Sequence, residues 1–220
     1  MNGFTDTYKH KGLRRKLIAS LREMGIHNED VLEAIFQTPR HFFLSSAFLE
    51  FAYDNKAFQI GAGQTISQPY TVAFQTQLLE PVKGEKVLEI GTGSGFQTSV
   101  LCQLGLKVFS IERQRLLYDK TTPLLKVLGH RPQLFYGDGY KGKKAYAPFD
   151  KILVTCGAPY APEELLAQLK IGGKIIIPIG EGDGQIMTEI VRTSENTFGK
   201  KEHGPCAFVP MLQNRARKAQ

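Results

Sequence analysis

Val87-Leu88-Glu89-Ile90-Gly91-Thr92-Gly93-Ser94-Gly95-Phe96-Gln97-Thr98 is the stretch whose reading decides the fold. Val87 to Ile90 read as a buried strand, apolar except for Glu89, and three glycines then alternate through positions 91, 93 and 95. A helix is expected from about Ser94 to Leu104. Strand, glycine turn and helix make the first crossover of an α/β sheet, in which ligands bind at the carboxyl ends of the strands. Glycine at such a turn lets a ligand come close to the backbone, because no Cβ stands in the way.

The residues around the turn narrow the ligand. A dinucleotide fingerprint has a small residue at its sixth position, but here that position is Phe96 and the third glycine, Gly95, falls one residue early. No Gly-Lys-Ser/Thr follows, so a phosphate cradle is unsupported. Glu89, two residues before the first glycine, would repel a pyrophosphate and suits a cationic ligand. S-adenosylmethionine carries a sulfonium and an ammonium and no phosphate. Glu112 ends the next expected strand, Lys107 to Ile111, where a carboxylate accepts hydrogen bonds from ribose hydroxyls. Asp138, in Tyr136-Gly137-Asp138-Gly139-Tyr140, is a third acid at a strand end and could accept an adenine amino group or simply shape the turn.

Outward from the turn, the pattern from Gly84 onward alternates strand and helix, which predicts a mostly parallel sheet. Strands are expected near 86–90, 107–111, 133–136, 150–155 and 173–178, and helices near 94–104, 114–128 and 161–170, with Pro123 able to bend or split the second helix. Thr155 and Cys156 then face the cleft. A Gly-Asp-Gly turn at 182–184 leads into a hairpin arm, Gln185–Thr193; Ala207 to Met211 reads as a last short strand and 215–220 as a frayed tail. Before the glycine turn, Leu13, Leu17, Leu21 and Met24 predict an amphipathic helix stopped by Gly25, and Asn28 is placed to cap a second helix ending near Thr38-Pro39. Gly61 and Gly63 bracket a turn, and Pro69 starts a helix with Ser67 or Gln68 near its N-cap. The chain is expected to be one domain, with residues 1–80 a helical extension and substrate-side loop and 81–220 the cofactor-binding α/β core.

With 220 residues, 42% of them hydrophobic and 22% charged, the composition is that of a soluble globular protein. No apolar run is long enough for a membrane span, and Met1 to Lys16 lacks the apolar core of a signal peptide. Cys102, Cys156 and Cys206 are widely separated, which reads as reduced thiols in a cytoplasmic protein. The five histidines have no metal-ligand spacing, so no metal is expected. The net charge of +7 is spread out without interleaved aromatics, so no nucleic-acid partner is expected.

Gly63-Gln64-Thr65-Ile66-Ser67-Gln68-Pro69-Tyr70, followed by the glycine turn, resembles the protein-L-isoaspartate O-methyltransferase family. Supporting matches are Thr38-Pro39-Arg40 with Phe43, Ala52-Tyr53, Gly137-Asp138-Gly139, Gly172-Gly173 through Pro178-Ile179-Gly180, and Phe208-Val209-Pro210. The resemblance implies a Rossmann-like class I methyltransferase fold with a mixed, mostly parallel seven-stranded sheet whose last two strands are exchanged relative to most such enzymes. It implies methyl transfer from S-adenosylmethionine to the α-carboxylate of L-isoaspartyl residues in damaged proteins and peptides, by a monomeric enzyme. Ser67 matches the active-site serine. Glu89, Gly91, Thr92, Gly93, Ser94, Gly95, Glu112, Asp138 and Gly139 fall at the cofactor, with Gln68 and Tyr70 beside it. Thr65, Ile66, Ser67, Phe208, Val209 and Pro210 fall at the acceptor site. Phe96 stands where Tyr is common, and Cys156 where Ala is common.

The chemistry agrees with the residues. A carboxylate acceptor is ionised at neutral pH and needs no strong base, and no His or Cys adjoins Ser67 in sequence. Two other readings remain open at this stage. One is a class I methyltransferase for a small molecule or RNA, against which Thr155-Cys156-Gly157-Ala158-Pro159-Tyr160 lacks an Asn/Asp-Pro-Pro-Tyr/Phe motif. The other is a non-catalytic binder that retains the cofactor fold.

Overall fold

The computed structural model describes residues 5–182 and 184–216. Residues 1–4, Asp183 of the Gly-Asp-Gly turn and residues 217–220 of the expected tail lie outside the described residues.

Thr7 opens α1 (Tyr8–Glu23): its hydroxyl accepts from the His10 N–H, and the His10 ring accepts from the Thr7 N–H. Both amides belong to the helix start, where no intrahelical partner exists. Leu17, Ile18 and Leu21 form the buried face, and Gly25, at a φ of +94°, ends the helix in the conformation glycine adopts without a Cβ penalty. Asn28 caps α2 (Glu29–Gln37), its side chain accepting from the Val31 N–H at 3.1 Å. Two 3-10 turns, Arg40–Phe43 and Ser46–Phe51, carry the chain into a small antiparallel hairpin, β1 (Phe58–Gly61) and β2 (Gln64–Ile66). Gln68 is the N-cap residue of α3 (Pro69–Leu79), with Pro69 in its first turn.

The core follows as β3 (Lys86–Ile90), α4 (Phe96–Gln103), β4 (Lys107–Glu112), α5 (Arg115–Val127), β5 (Gln133–Tyr136), β6 (Phe149–Val154), α6 (Glu163–Leu166), β7 (Leu169–Ile179), β8 (Gln185–Arg192) and β9 (Phe198–Cys206). The sheet order is β5-β4-β3-β6-β7-β8-β9. Pairing is parallel from β5 across to β7 and antiparallel for β7–β8 and β8–β9. The chain steps outward from β3 through β4 to β5, then returns to the other side of β3 through β6. That reversal opens a crevice beyond the carboxyl ends of β3 and its neighbours. At the far edge the last two strands lie in chain order, the exchange that the family resemblance implies.

Val87, Leu88, Ile152, Leu153, Ile175 and Ile176 are all fully buried. Both sheet faces are covered, so these strands are continuously apolar and do not alternate. Residues of α1, α2 and α3 share one apolar cluster with Phe96 and Val100 of α4 and Leu125 of α5.

Several expected elements are corrected. The last strand is Phe198–Cys206, and Ala207–Met211 is not one: Pro210 makes a single bridge with Gly157. β9 is an edge strand of exposed, charged residues, so it lacks the apolar alternation that would betray it. The expected helix over 161–170 shrinks to Glu163–Leu166, because β7 already begins at Leu169. Pro123 does not split α5, which runs through to Val127. The tail is anchored at Ala216, whose N–H donates to the Arg113 carbonyl at 3.0 Å. Among the described residues, no helix is long and apolar enough to cross a membrane.

Candidate active site

A cleft lies at the carboxyl ends of β3, β4 and β6. Its floor is the glycine turn, its roof is β2 with the residues after it, and the Val209–Leu212 segment closes one side. Gly91 has a φ of +99°, and a Cβ there would stand 2.5 Å from Thr155 Oγ1, which donates to the Gly91 carbonyl at 2.8 Å. The turn therefore presents bare backbone to the cleft for a steric reason that the sequence pattern only implied.

Eleven of the expected site residues line the cleft. On the turn side these are Gly91, Thr92, Gly93, Ser94, Glu112 and Gly139. On the opposite side they are Thr65, Ile66, Ser67, Val209 and Pro210.

The other six do not line it. Gln68 is the N-cap residue of α3, and Tyr70 stacks on Phe74 with ring centres 5.6 Å apart. Gly95 sits beneath Thr121 and Leu125, where a Cβ would meet Thr121 Cγ2 at 2.7 Å. Phe208 pairs through its backbone with the Gln185 side chain, donating and accepting at 2.9 Å. Asp138 ties its own turn to the C-terminal segment: Oδ1 accepts from the Tyr140 N–H at 2.9 Å and Oδ2 from the Asn214 N–H at 2.8 Å. Glu89 is 0% exposed and lies behind the glycine turn.

The two glutamates differ sharply. Glu112 faces the cleft, and its Oε2 and Oε1 accept from the N–H groups of Gly93 and Gln114, both at 2.7 Å. Burial raises its pKa, while those backbone donors and Arg113 work to keep it ionised. Each of its oxygens retains a lone pair for a ligand hydroxyl. Glu89 Oε2 accepts from the Thr98 and Ser110 hydroxyls, both at 2.6 Å, and its Oε1 has no partner. Burial pushes its pKa up to about 7, against the pull of those hydroxyls. Its link to the cleft is indirect: the Thr92 hydroxyl donates to Ser110 Oγ at 2.6 Å, and Thr92 lines the cleft.

The cleft also holds residues that sequence reasoning did not assign, among them Gln64, Gln97, Arg113, Gln114, Met211 and Leu212. Arg113 and Gln114 could have been suspected, since they directly follow a strand end. Gln97 gave no signal, because helix positions alone do not reveal which side meets the cleft. Thr155 and Cys156 line the cleft as expected, and burial drives the Cys156 thiol up to about 12, so it is an inert neutral thiol. Elsewhere, Asp6, His10 and His41 offer ligand atoms within 4.8 Å of one another, a grouping their spacing hid. Both Asp6 oxygens pair with Arg14 at 2.7 Å, and His41 Nδ1 faces the Tyr53 hydroxyl, so these groups already have partners.

The glycine turn with Glu112 and the Thr65–Ser67 stretch with Val209-Pro210 face each other across one cleft. These residues fit a nucleoside-type cofactor, and the fold and site are those of a Rossmann-like class I methyltransferase. The chain belongs to the protein-L-isoaspartate(D-aspartate) O-methyltransferase family, whose model matches residues 12–216. It is 59% identical over 211 residues to the protein-L-isoaspartate O-methyltransferase of Flavobacterium psychrophilum, covering 96% of this chain and 99% of that one. A solved protein-L-isoaspartate O-methyltransferase structure superposes with a TM-score of 0.83 at 27% identity, covering 91% of this chain and 66% of that one. A Plasmodium falciparum structure solved with S-adenosyl-L-homocysteine superposes with a TM-score of 0.79 at 25% identity, covering 93% and 99%.

Proposed function

We infer that this chain transfers the methyl group of S-adenosylmethionine to the free α-carboxylate of L-isoaspartyl residues in damaged proteins and peptides. The following backbone amide nitrogen then attacks the methyl ester and expels methanol, closing a succinimide whose hydrolysis returns part of the material to normal aspartate. The carrying observation is the pairing, in one cleft, of the glycine turn and Glu112 with the Thr65–Ser67 stretch and Val209-Pro210.

S-adenosylmethionine supplies an electrophilic methyl group. Glu112 would accept hydrogen bonds from ribose hydroxyls, and Gly91, Thr92, Gly93, Ser94 and Gly139 would form the wall around the cofactor. Glu89 acts from behind, holding Thr92 through Ser110. Asp138 and Gly95 support the wall by fixing their turns, and Gln68 and Tyr70 do so by anchoring α3. The acceptor carboxylate is ionised at neutral pH, since such groups have pKa values of about 3.3–3.7. The Ser67 hydroxyl would donate to one of its oxygens and so hold the other toward the glycine-turn side of the cleft. Thr65, Ile66, Val209 and Pro210 hold the peptide beside it, with Phe208 fixing that segment to the sheet. Rate then comes from orientation of the two reacting groups.

The same reading has a monomeric, cytoplasmic enzyme, a single folding unit in which residues 1–80 form the helical extension and substrate-side loop and 81–220 the cofactor-binding core, which also lends Val209 and Pro210 to the acceptor side. It requires neither metal nor nucleic acid. Labelled methyl from S-adenosylmethionine should enter an isoaspartyl peptide and not its aspartyl twin. Equal labelling of both peptides, or labelling of RNA instead, would overturn it.

A further inference from the structure

Arg40 is 1% exposed, and no acidic side chain pairs with it among the described residues. Its Nη1 donates to the Ser67 carbonyl at 2.8 Å and its Nη2 to the Lys56 carbonyl at 3.0 Å, while Nε has no partner. The guanidinium carbon lies 5.0 Å from the centre of the Phe96 ring. Burial lowers its pKa to about 9, so the group is still a cation at neutral pH. A buried charge without a counterion is expensive to keep, and an apolar side chain would fill the space without that cost.

Its position gives a reason for keeping it. Lys56 lies just before β1 and Ser67 just after β2, so the two arms of the fork grip both feet of the β1–β2 hairpin. Phe96 begins α4, directly after the glycine turn, and lines the cleft. The hairpin also reaches over that turn: a Cβ on Gly93 would meet Ile60 Cδ1 at 3.5 Å. One guanidinium therefore ties the wall that carries Thr65, Ile66 and Ser67 to the wall that carries the glycines. Thr38-Pro39-Arg40 was part of the family match, yet nothing in the methyl-transfer chemistry itself uses it.

We propose that Arg40 is a positioning residue, whose fork holds the β1–β2 hairpin by both feet on the Phe96 ring and so sets where the Ser67 hydroxyl stands relative to the glycine turn. The inference rests on the acceptor role given to Ser67. Lysine cannot replace it, because an ammonium lacks the planar fork that serves two carbonyls and stacks on a ring.

The test compares wild type with Arg40→Lys by hydrogen-exchange mass spectrometry and by kinetics, with rates expressed per site that binds S-adenosylhomocysteine in calorimetry. Amides of residues 57–67 exchange faster in the variant by about 10-fold or more, while those of β3, β4 and β6 do not change. The kcat/KM for an isoaspartyl peptide falls by about 10–100-fold per binding site. Introduced into Ser67→Ala, the same change costs no more than about 2-fold, because the hydroxyl that Arg40 places is already gone. Unchanged hairpin exchange, or losses that simply multiply, would overturn the proposal. Phe96→Leu removes the ring beneath the fork and gives the same pattern more weakly, which keeps the test open if Arg40→Lys does not fold. Should wild type methylate no isoaspartyl peptide, the acceptor reading fails, and hairpin exchange alone still decides whether Arg40 is the clamp.

Discussion

The Ser110 hydroxyl donates to Glu89 Oε2 at 2.6 Å while accepting from the Thr92 hydroxyl at the same distance, so a buried acid two residues before the glycine turn reaches the cleft through two side chains.

This arrangement carries a pH signature. Burial holds the Glu89 carboxyl at about 7, against 4.5 for a free glutamate. A raised carboxylic pKa means that the folded state holds its proton more tightly than the unfolded chain. Its contribution is therefore fully present below the unfolded value and is lost as pH rises through the window from about 4.5 to about 7. Glu89→Gln, which keeps the shape and cannot ionise, should flatten the slope. Denaturant unfolding at a series of pH values should show wild type losing roughly 1–3 kcal/mol more than the variant between pH 5 and 8. Equal slopes would mean that Glu89 is already ionised in the folded state at pH 5, as it is in the unfolded chain.

Ser67→Ala is expected to lower kcat/KM for an isoaspartyl peptide by about 10–100-fold, since one positioned donor is removed from the acceptor oxygen. Its melting temperature should hold close to wild type, and so should its affinity for S-adenosylhomocysteine. A full rate in steady-state assays would remove Ser67 from the mechanism.

For Glu112→Gln the loss should fall on the cofactor. A neutral amide accepts through one oxygen where the carboxylate uses two, so the Gly93 N–H or the Gln114 N–H loses its partner along with the ribose contact. A hydrogen bond to a charged group contributes about 1.5–3 kcal/mol, so calorimetric affinity for S-adenosylhomocysteine should weaken by about 10–100-fold. Unaltered affinity would place the ribose elsewhere.

Gly91→Ala brings a Cβ to 2.5 Å from Thr155 Oγ1 at a backbone φ of +99°. Strain of this kind costs on the order of 1–3 kcal/mol, and it sits in the cleft wall. Thermal unfolding should register the cost, and cofactor affinity should drop with it. A neutral substitution would show that the turn relaxes freely.

What could be read from the chain in advance was what neighbouring residues settle among themselves. The glycine turn, the Asn28 cap, the Gly25 stop and the five parallel strands each follow from a local pattern, because capping, positive φ and continuous apolar runs need only a few adjacent residues. Membership in the methyltransferase class was legible for the same reason: Thr65 to Pro69 and Val87 to Gly95 are contiguous. Tertiary packing alone decided which side chains meet the cleft. It set Glu89 behind the turn instead of against the ligand, tied Asp138 to the distant Asn214 amide as well as to its own turn, and buried Arg40 beneath the hairpin with only carbonyls and a ring for company. The physical reason is that burial and hydrogen-bond partnership are properties of what packs against a residue, often fifty or more positions away, and no periodicity in the chain records them.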